Sequence, residues 1–275
     1  MHMNSDDTVR NILCRTPFLK RKRTDSSAIR VRLRMVSGIL FLFLFGFSIA
    51  HAEPFKVPEK FIYDLTWAGI KAGTASLELT NDGDRVKIVS TAQSAPWVSF
   101  FYTVDDRIES ILSHNPAFSS IGQPVQYRIK IREGSHRRDK EVVFDRNSNK
   151  AIYRDYLKNE KKEFDVPPSV FDPISSFYYL RTLTLTVGEP VYVTIFDSKK
   201  VWNVEVQVLR REKITLPTGT FNTIVVKPNM KSEGIFYRKG EIFIWLTDDG
   251  KHIPVQLQTK VAVGHITATL VKGIY

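Results

Sequence analysis

An alternation of apolar and polar side chains with a period of two residues runs through most of the chain and constrains its fold more than any other feature. In the segment "FIYDLTWAG", every second residue is apolar: Phe61, Tyr63, Leu65 and Trp67. Successive side chains of a β-strand point to opposite faces, so this period predicts strands with one apolar and one polar face. Turn signals such as "NDGD" (81–84) separate the alternating segments and predict hairpins.

The same pattern recurs along the chain and predicts roughly ten to twelve strands, without the repeat period of a propeller or a solenoid. Strands with one polar face favour an antiparallel sheet that packs on one side only. We therefore predict a mostly β fold, namely a curved antiparallel sheet or an open β-barrel with one covering helix.

The segment "FDPISSFYYLR" (171–181) interrupts the period of two. Asp172 is a good N-cap, and Pro173 suits the first helical position. These signals predict the covering helix over about 172–182, against the concave side of the sheet. The segment "APWVSFFYTV" (95–104) is apolar without clean alternation, so a short helix and a buried strand both remain open.

The predicted helix also supplies candidate ligand-binding residues, because Ile174, Phe177, Tyr178 and Arg181 recur at helical spacing. The guanidinium of Arg181 would suit a carboxylate or phosphate headgroup at the mouth of a cavity. Trp245, in "IFIWLTDDG", is the fourth candidate, beside Phe177, Tyr178 and Arg181. Alternatively, Arg181 pairs with a structural carboxylate and the aromatic rings merely fill the core.

An uncharged apolar run, "VSGILFLFLFGFSIA" (36–50), follows Arg30, Arg32 and Arg34 and ends at the tripeptide "AHA" (50–52). A positive region, a short apolar region and a small-x-small site are together typical of a secretory signal peptide. The run is shorter than the about 20 apolar residues of a membrane span, which disfavours an uncleaved anchor. We predict cleavage after the last residue of this tripeptide, Ala52.

Removal of the predicted leader, residues 1–52, would leave one β-rich domain, residues 53–275, in a bacterial periplasm. The single cysteine, Cys14, belongs to the leader, so the exported part has no thiol for disulfides, catalysis or zinc. The leader holds nine basic and three acidic residues, so its removal lowers the net charge from +11 to +5 (11 less 6). This charge does not favour nucleic acid as a partner, and no transmembrane segment is expected after cleavage.

Patterns of catalytic or metal-binding residues are missing from the sequence. Ser175 and Ser176 lie near a helix start and outside any G-x-S-x-G motif, and the histidines lack H-E-x-x-H spacing. We therefore expect no catalytic residue, no metal and no cofactor. A cluster of basic residues is interpreted as the solvated face of a hairpin or as a contact for anionic headgroups; it comprises Arg128, Lys130, Arg132, Arg137, Arg138 and Lys140.

Four stretches together resemble the exported bacterial proteins grouped as the domain-of-unknown-function 3108 (DUF3108) family. They are "FIYDLTWAGIKAGTASLEL", "FDPISSFYYLR", "LPTGTFNTIVVKP" and "IFIWLTDDGKHIPVQLQTKVAVGHITATL". The resemblance spans the chain from about residue 57 to its C-terminus, and it implies export and a single β-rich domain without implying an activity. A looser similarity is to periplasmic lipoprotein carriers, whose curved sheet closes over a helix to hold acyl chains.

Three functional classes follow from these observations. The leading expectation is a non-catalytic periplasmic carrier or binding protein for a lipid or another apolar small molecule. The alternative is an envelope-assembly or scaffold factor that acts through contacts with an envelope protein, and an enzyme comes last. A carrier needs an apolar cavity, whereas a scaffold would have a filled interior.

Overall fold

The structure is a computed structural model that describes residues 55–115, 118–197, 199–229, 241–261 and 264–275. These residues belong to one compact unit, Ala50–Tyr275. The predicted leader and its cleavage site lie outside the described residues, so both stay predictions.

The described residues form fourteen strands and two helices. In chain order they are β1 (Glu59–Trp67), β2 (Ile70–Asp82), β3 (Arg85–Ser94), α1 (Pro96–Ser99), β4 (Asp105–Ser113), β5 (Gln123–Glu133), β6 (His136–Asp145), β7 (Lys150–Asp155), β8 (Glu160–Asp165), α2 (Pro173–Leu180), β9 (Val191–Asp197), β10 (Lys200–Leu216), β11 (Gly219–Pro228), β12 (Ile242–Thr247), β13 (Pro254–Lys260) and β14 (His265–Ile274).

All fourteen strands belong to one antiparallel sheet that is not closed into a barrel. Each strand pairs with its neighbours in sequence, except that β8 and β9 form the two edges and β1 pairs with β14. The predicted mostly β fold with a covering helix is confirmed, although the fourteen strands exceed the ten to twelve expected. The strand β8, "EKKEFD", is one that the pattern does not reveal, because its charged sequence has no apolar alternation.

The sheet curls until its two edges approach each other. The rings of Phe164 in β8 and Phe196 in β9 lie 5.6 Å apart, and Lys199 forms an ion pair with Glu160 at 2.5 Å. The chain between β8 and α2 adds backbone contacts to the β9 edge, because the N–H of Phe171 donates to the Thr194 carbonyl at 2.9 Å. These contacts leave the sheet with an enclosed concave interior.

The alternation of the sequence determines which side chains enter that interior. In β5, Tyr127, Ile129 and Ile131 are buried, whereas Lys130 between them is exposed. Burial of the apolar face removes it from water, the main favourable contribution to folding. The same alternation places Lys130, Arg132 and Arg137 on the outer surface, whereas Arg138 and Lys140 lie on the inward face. The predicted solvated face therefore includes only part of the basic cluster.

The helix α2 begins where the sequence predicts. The carboxylate of the N-cap, Asp172, accepts hydrogen bonds from the backbone N–H groups of Ile174 and Ser175, both at 3.0 Å. Helix α2 ends at Leu180, with Arg181 as its C-cap. In the ambiguous segment 95–104, the structure has the short helix α1 rather than a strand.

Candidate functional site

A cavity of about 310 Å³ lies inside the curled sheet, above α2. Strands from both halves of the sheet form its walls, and α2 forms its floor. The floor residues are Pro173, Ile174, Ser176, Phe177 and Leu180. Most of the wall residues are aliphatic, so the cavity suits an apolar ligand.

Small side chains at inward-facing positions leave this space empty. Ala75 in β2 is paired with Ala92 in β3, and both line the cavity. Ser90 and Ala268 line it as well. The sequence analysis did not identify these residues, although small side chains on the apolar face of the alternation are a usable signal. A larger residue at these positions would fill the interior.

The floor is held by the N-cap of α2. Asp172 is fully buried, and its carboxylate accepts hydrogen bonds from the hydroxyls of Ser110 at 2.6 Å and Ser175 at 2.7 Å. Burial raises the pKa of Asp172, and these hydrogen bonds offset part of that effect. The bond to Ser110 fixes the start of α2 against β4, and the helix then directs Phe177 toward the cavity.

Arg181 lies outside the cavity, because its side chain is fully buried on another side of α2. Its guanidinium forms two hydrogen bonds with the carboxylate of Glu59, at 2.7 and 2.8 Å, and donates through Nε to the carbonyl of His252 at 3.0 Å. The rings of Phe55, Phe61 and Tyr178 lie 4.7, 5.4 and 5.0 Å from it. This is the second of the two arrangements expected from the sequence, pairing with a structural carboxylate.

Of the other three candidate residues, one lines the cavity and two lie outside it. Phe177 lines the cavity, as a ligand-binding role requires. Tyr178 packs against Arg181 instead, and burial together with the charge of Glu59 raises the pKa of its phenol. Trp245 points to the opposite face of β12 from the cavity-lining Ile244, because neighbouring residues of a strand alternate; its indole N–H donates to Glu212.

Three ionisable side chains line the cavity near the end that α2 does not cover: Asp106, Glu133 and Arg138. Asp106 accepts a hydrogen bond from the backbone N–H of Arg132 at 3.0 Å. The Nε of Arg138 donates to the ring nitrogen Nε2 of His136 at 2.8 Å. Because Glu133 ends β5 and Arg138 lies near the start of β6, these groups mark the polar mouth of the apolar cavity.

Among the described residues, no three His, Cys, Asp or Glu side chains converge as a metal site would require. The same part of the chain contains no helix whose length and apolar character would let it cross a membrane. The expectations of no metal, no cofactor and no catalytic residue stay predictions.

Comparison with known proteins identifies a family and a fold. The family model described as "Protein of unknown function (DUF3108)" matches residues 62–271. A β-barrel-like protein of the DUF1849 domain from Brucella abortus is 13% identical, with a TM-score of 0.50 over 78% of this chain and 96% of its own. The comparison with curated proteins gave no significant match.

A candidate lipoprotein from Parabacteroides distasonis is 12% identical, with a TM-score of 0.32 over 79% of this chain and 95% of its own. A candidate exported protein with a YmcC-like fold from Bacteroides fragilis is 10% identical, with a TM-score of 0.30 over 80% of this chain and 97% of its own. At such low identity the Brucella structure supports the fold alone, and the other two are too distant to support an argument.

Proposed function

The chain belongs to the DUF3108 family, whose description assigns no function, and we propose that it is a non-catalytic periplasmic carrier or binding protein for an apolar ligand. The observation that carries the proposal is the apolar cavity of about 310 Å³ between α2 and the sheet. Small-molecule sites are usually concave, mostly apolar and about 300–1,000 Å³ in volume. The cavity lies at the lower end of that range, which favours a small apolar molecule or a single acyl chain.

The distribution of polar groups supports a ligand with one polar end. The walls around Ala75, Ala92 and Phe177 offer apolar contact, whereas Arg138 lies at the mouth. A guanidinium binds carboxylate and phosphate groups well. The apolar part of the ligand would therefore occupy the interior, and its polar end would lie at the mouth, where Asp106 and Glu133 accompany Arg138.

The predicted signal peptide supports the periplasmic part of the proposal. The periplasm is an aqueous compartment, and an apolar ligand needs a carrier to cross it. The cavity also supports this function over its alternative. An envelope-assembly factor that acted only through protein contacts would gain stability from a filled interior, because close packing adds dispersion contacts. An interior left open by small residues on several strands favours ligand binding.

Displacement of a fluorescent apolar probe, N-phenyl-1-naphthylamine, by a fatty acid tests the proposal. Ala75→Phe would fill the cavity, whereas Thr74→Phe adds the same ring at the exposed neighbouring position on the other face of β2. We expect the wild type and Thr74→Phe to bind the probe and release it to the fatty acid, and Ala75→Phe to lose binding while staying folded. Equal probe binding by all three proteins would refute a cavity site.

A further inference from the structure

The connection between β3 and β4 presents an exposed group of aromatic side chains. Phe100 is 93% exposed and Phe101 62%, and Tyr102 and Trp97 are 47% and 44% exposed. Large apolar side chains clustered at the surface usually mark an interaction site. We call Trp97, Phe100, Phe101 and Tyr102 the aromatic tip.

The fold holds the aromatic tip in place. The indole N–H of Trp97 donates to the carbonyl of Lys71 at 3.0 Å, and its ring lies 6.0 Å from that of Phe101. Tyr102 packs over Gly134 in the β5–β6 turn, where a Cβ would lie 2.6 Å from the tyrosine ring. Gly134 also has a φ of +56°. Both the lack of space for a Cβ and this backbone conformation therefore favour glycine. Phe100 is therefore exposed on a loop that these contacts hold in place.

Two exposed arginines lie beside the aromatic tip. Arg132 and Arg137 stand directly opposite each other in the β5–β6 register, and both are exposed. Arg137 donates to the carbonyls of Gly134 and His136, and the ion pairs of the described residues include neither arginine. Asp105 is exposed at the start of β4, where it pairs with neither. Like charges directly opposite in a sheet are destabilising, and an anion between them would remove that cost.

We propose that the aromatic tip, together with Arg132 and Arg137, docks the protein on the surface of an anionic phospholipid bilayer. Aromatic rings lie favourably at the headgroup level, and guanidinium groups bind phosphate with two hydrogen bonds. A specific protein interface needs about 1,000 Å² or more of complementary surface, whereas the tip is one short projecting loop. A bilayer requires no such complementary shape, and its negative charge matches the arginine pair.

Docking goes beyond the carrier function and does not depend on the identity of its ligand. Glu133, which lines the cavity mouth, immediately precedes Gly134, on which Tyr102 packs. A protein docked through the aromatic tip would therefore present the mouth to the membrane. Loss of docking and loss of ligand binding are separate results, because the tip residues do not line the cavity.

Co-sedimentation with vesicles tests the proposal, using protein purified from an expressing bacterium. One set of vesicles contains phosphatidylglycerol and phosphatidylethanolamine, and the other phosphatidylcholine alone. We expect binding to the anionic set, weakened by salt. Phe100→Ser/Phe101→Ser should weaken it by at least about tenfold, and Arg132→Ser/Arg137→Ser by about tenfold to thirtyfold.

Matched controls use exposed residues away from the tip. Tyr192→Ser removes an exposed aromatic ring from β9. Arg85→Ser/Lys213→Ser removes two exposed cations that lie toward the ends of β3 and β10 far from the aromatic tip. Both controls should bind as the wild type does. Failure of the wild type to bind anionic vesicles, or wild-type binding by Phe100→Ser/Phe101→Ser, would overturn the proposal. Capture of a protein through these residues without vesicle binding would assign the surface to a protein partner instead.

Discussion

Arg181 and Glu59, which are 122 residues apart in the chain, form a buried ion pair joined by two hydrogen bonds. The pair links the end of α2 to the first residue of β1, and Phe55, Phe61 and Tyr178 surround the guanidinium. A buried ion pair strongly penalises the loss of one partner, because the other charge is left without compensation. We infer that the pair fixes the position of the cavity floor.

Glu59→Gln should therefore destabilise the protein by about 3–5 kcal/mol. The control is Glu78→Gln, because Glu78 pairs with Lys60 at 2.8 Å in a partly exposed position. That control should change the free energy of unfolding by less than about 1 kcal/mol. Urea unfolding of the three proteins measures both differences, and equal losses in the two variants would contradict the structural role of the buried pair.

Replacement of both partners should recover most of this stability. Glu59→Leu/Arg181→Met removes both charges and places apolar side chains among the surrounding aromatic rings. Hydrophobic replacement of a buried ion pair is often neutral or stabilising. If the double variant were as unstable as Glu59→Gln in the same urea experiment, an uncompensated charge would not be the cause of the loss.

The stability of the protein should depend on pH through Asp172. Burial raises the pKa of Asp172 above its ordinary value of 3.8, so the folded state binds this proton more tightly than the unfolded state does. The stability contributed by that proton is fully present below about pH 3.8 and is lost as the pH rises through the higher, folded-state pKa. Asp172→Asn carries no charge at either pH and does not lose this contribution.

The expected result is that the stability of Asp172→Asn increases relative to the wild type between about pH 4 and pH 7. Urea unfolding of both proteins at the two pH values measures the change, and other titrating groups cancel in the difference. Asp172→Ala also removes the cap, so it should be less stable than Asp172→Asn by about 1 kcal/mol or more at both pH values. A difference between Asp172→Asn and wild type that stays constant with pH would contradict the prediction.

Phe177 and Trp245 should differ in their effect on ligand binding. Phe177→Ala enlarges the cavity, so it should shift binding toward bulkier fatty acids, at a stability cost below the about 3–5 kcal/mol of a fully packed phenylalanine. Trp245→Phe alters the outer face of β12 and should leave the affinity for each fatty acid unchanged. Probe displacement by fatty acids of increasing length measures both effects, and an altered length preference in Trp245→Phe would contradict the assigned faces.

The parts of the fold that the sequence predicted are those with local causes. Asp172 and Pro173 specify the start of α2 within a few residues, and alternation specifies the faces of strands such as β5. The partner of Arg181 was not predictable, because Glu59 becomes its neighbour only after β1 pairs with β14 and α2 packs across the sheet. The charged edge strand β8 lacks the alternation on which strand prediction depends.

The carrier function requires a cavity, so its existence was predicted from the sequence. Its position in the fold was not. Its volume depends on which small residues meet inside the curled sheet, such as Ala75 opposite Ala92. That meeting depends on strand register, which turn geometry and the burial of one face determine together. Inward-facing alanines on neighbouring strands are therefore the signal to seek in related sequences.

Native mass spectrometry of the protein, purified without detergent from a bacterial periplasm, tests the central claim most directly. If the protein carries an apolar ligand, the wild type and Thr74→Phe should show an added mass that disappears on denaturation. Ala75→Phe should be folded and should lack that mass. A wild-type protein found only at the mass of its bare chain, or an added mass that persists in folded Ala75→Phe, would contradict the claim that this cavity carries a ligand.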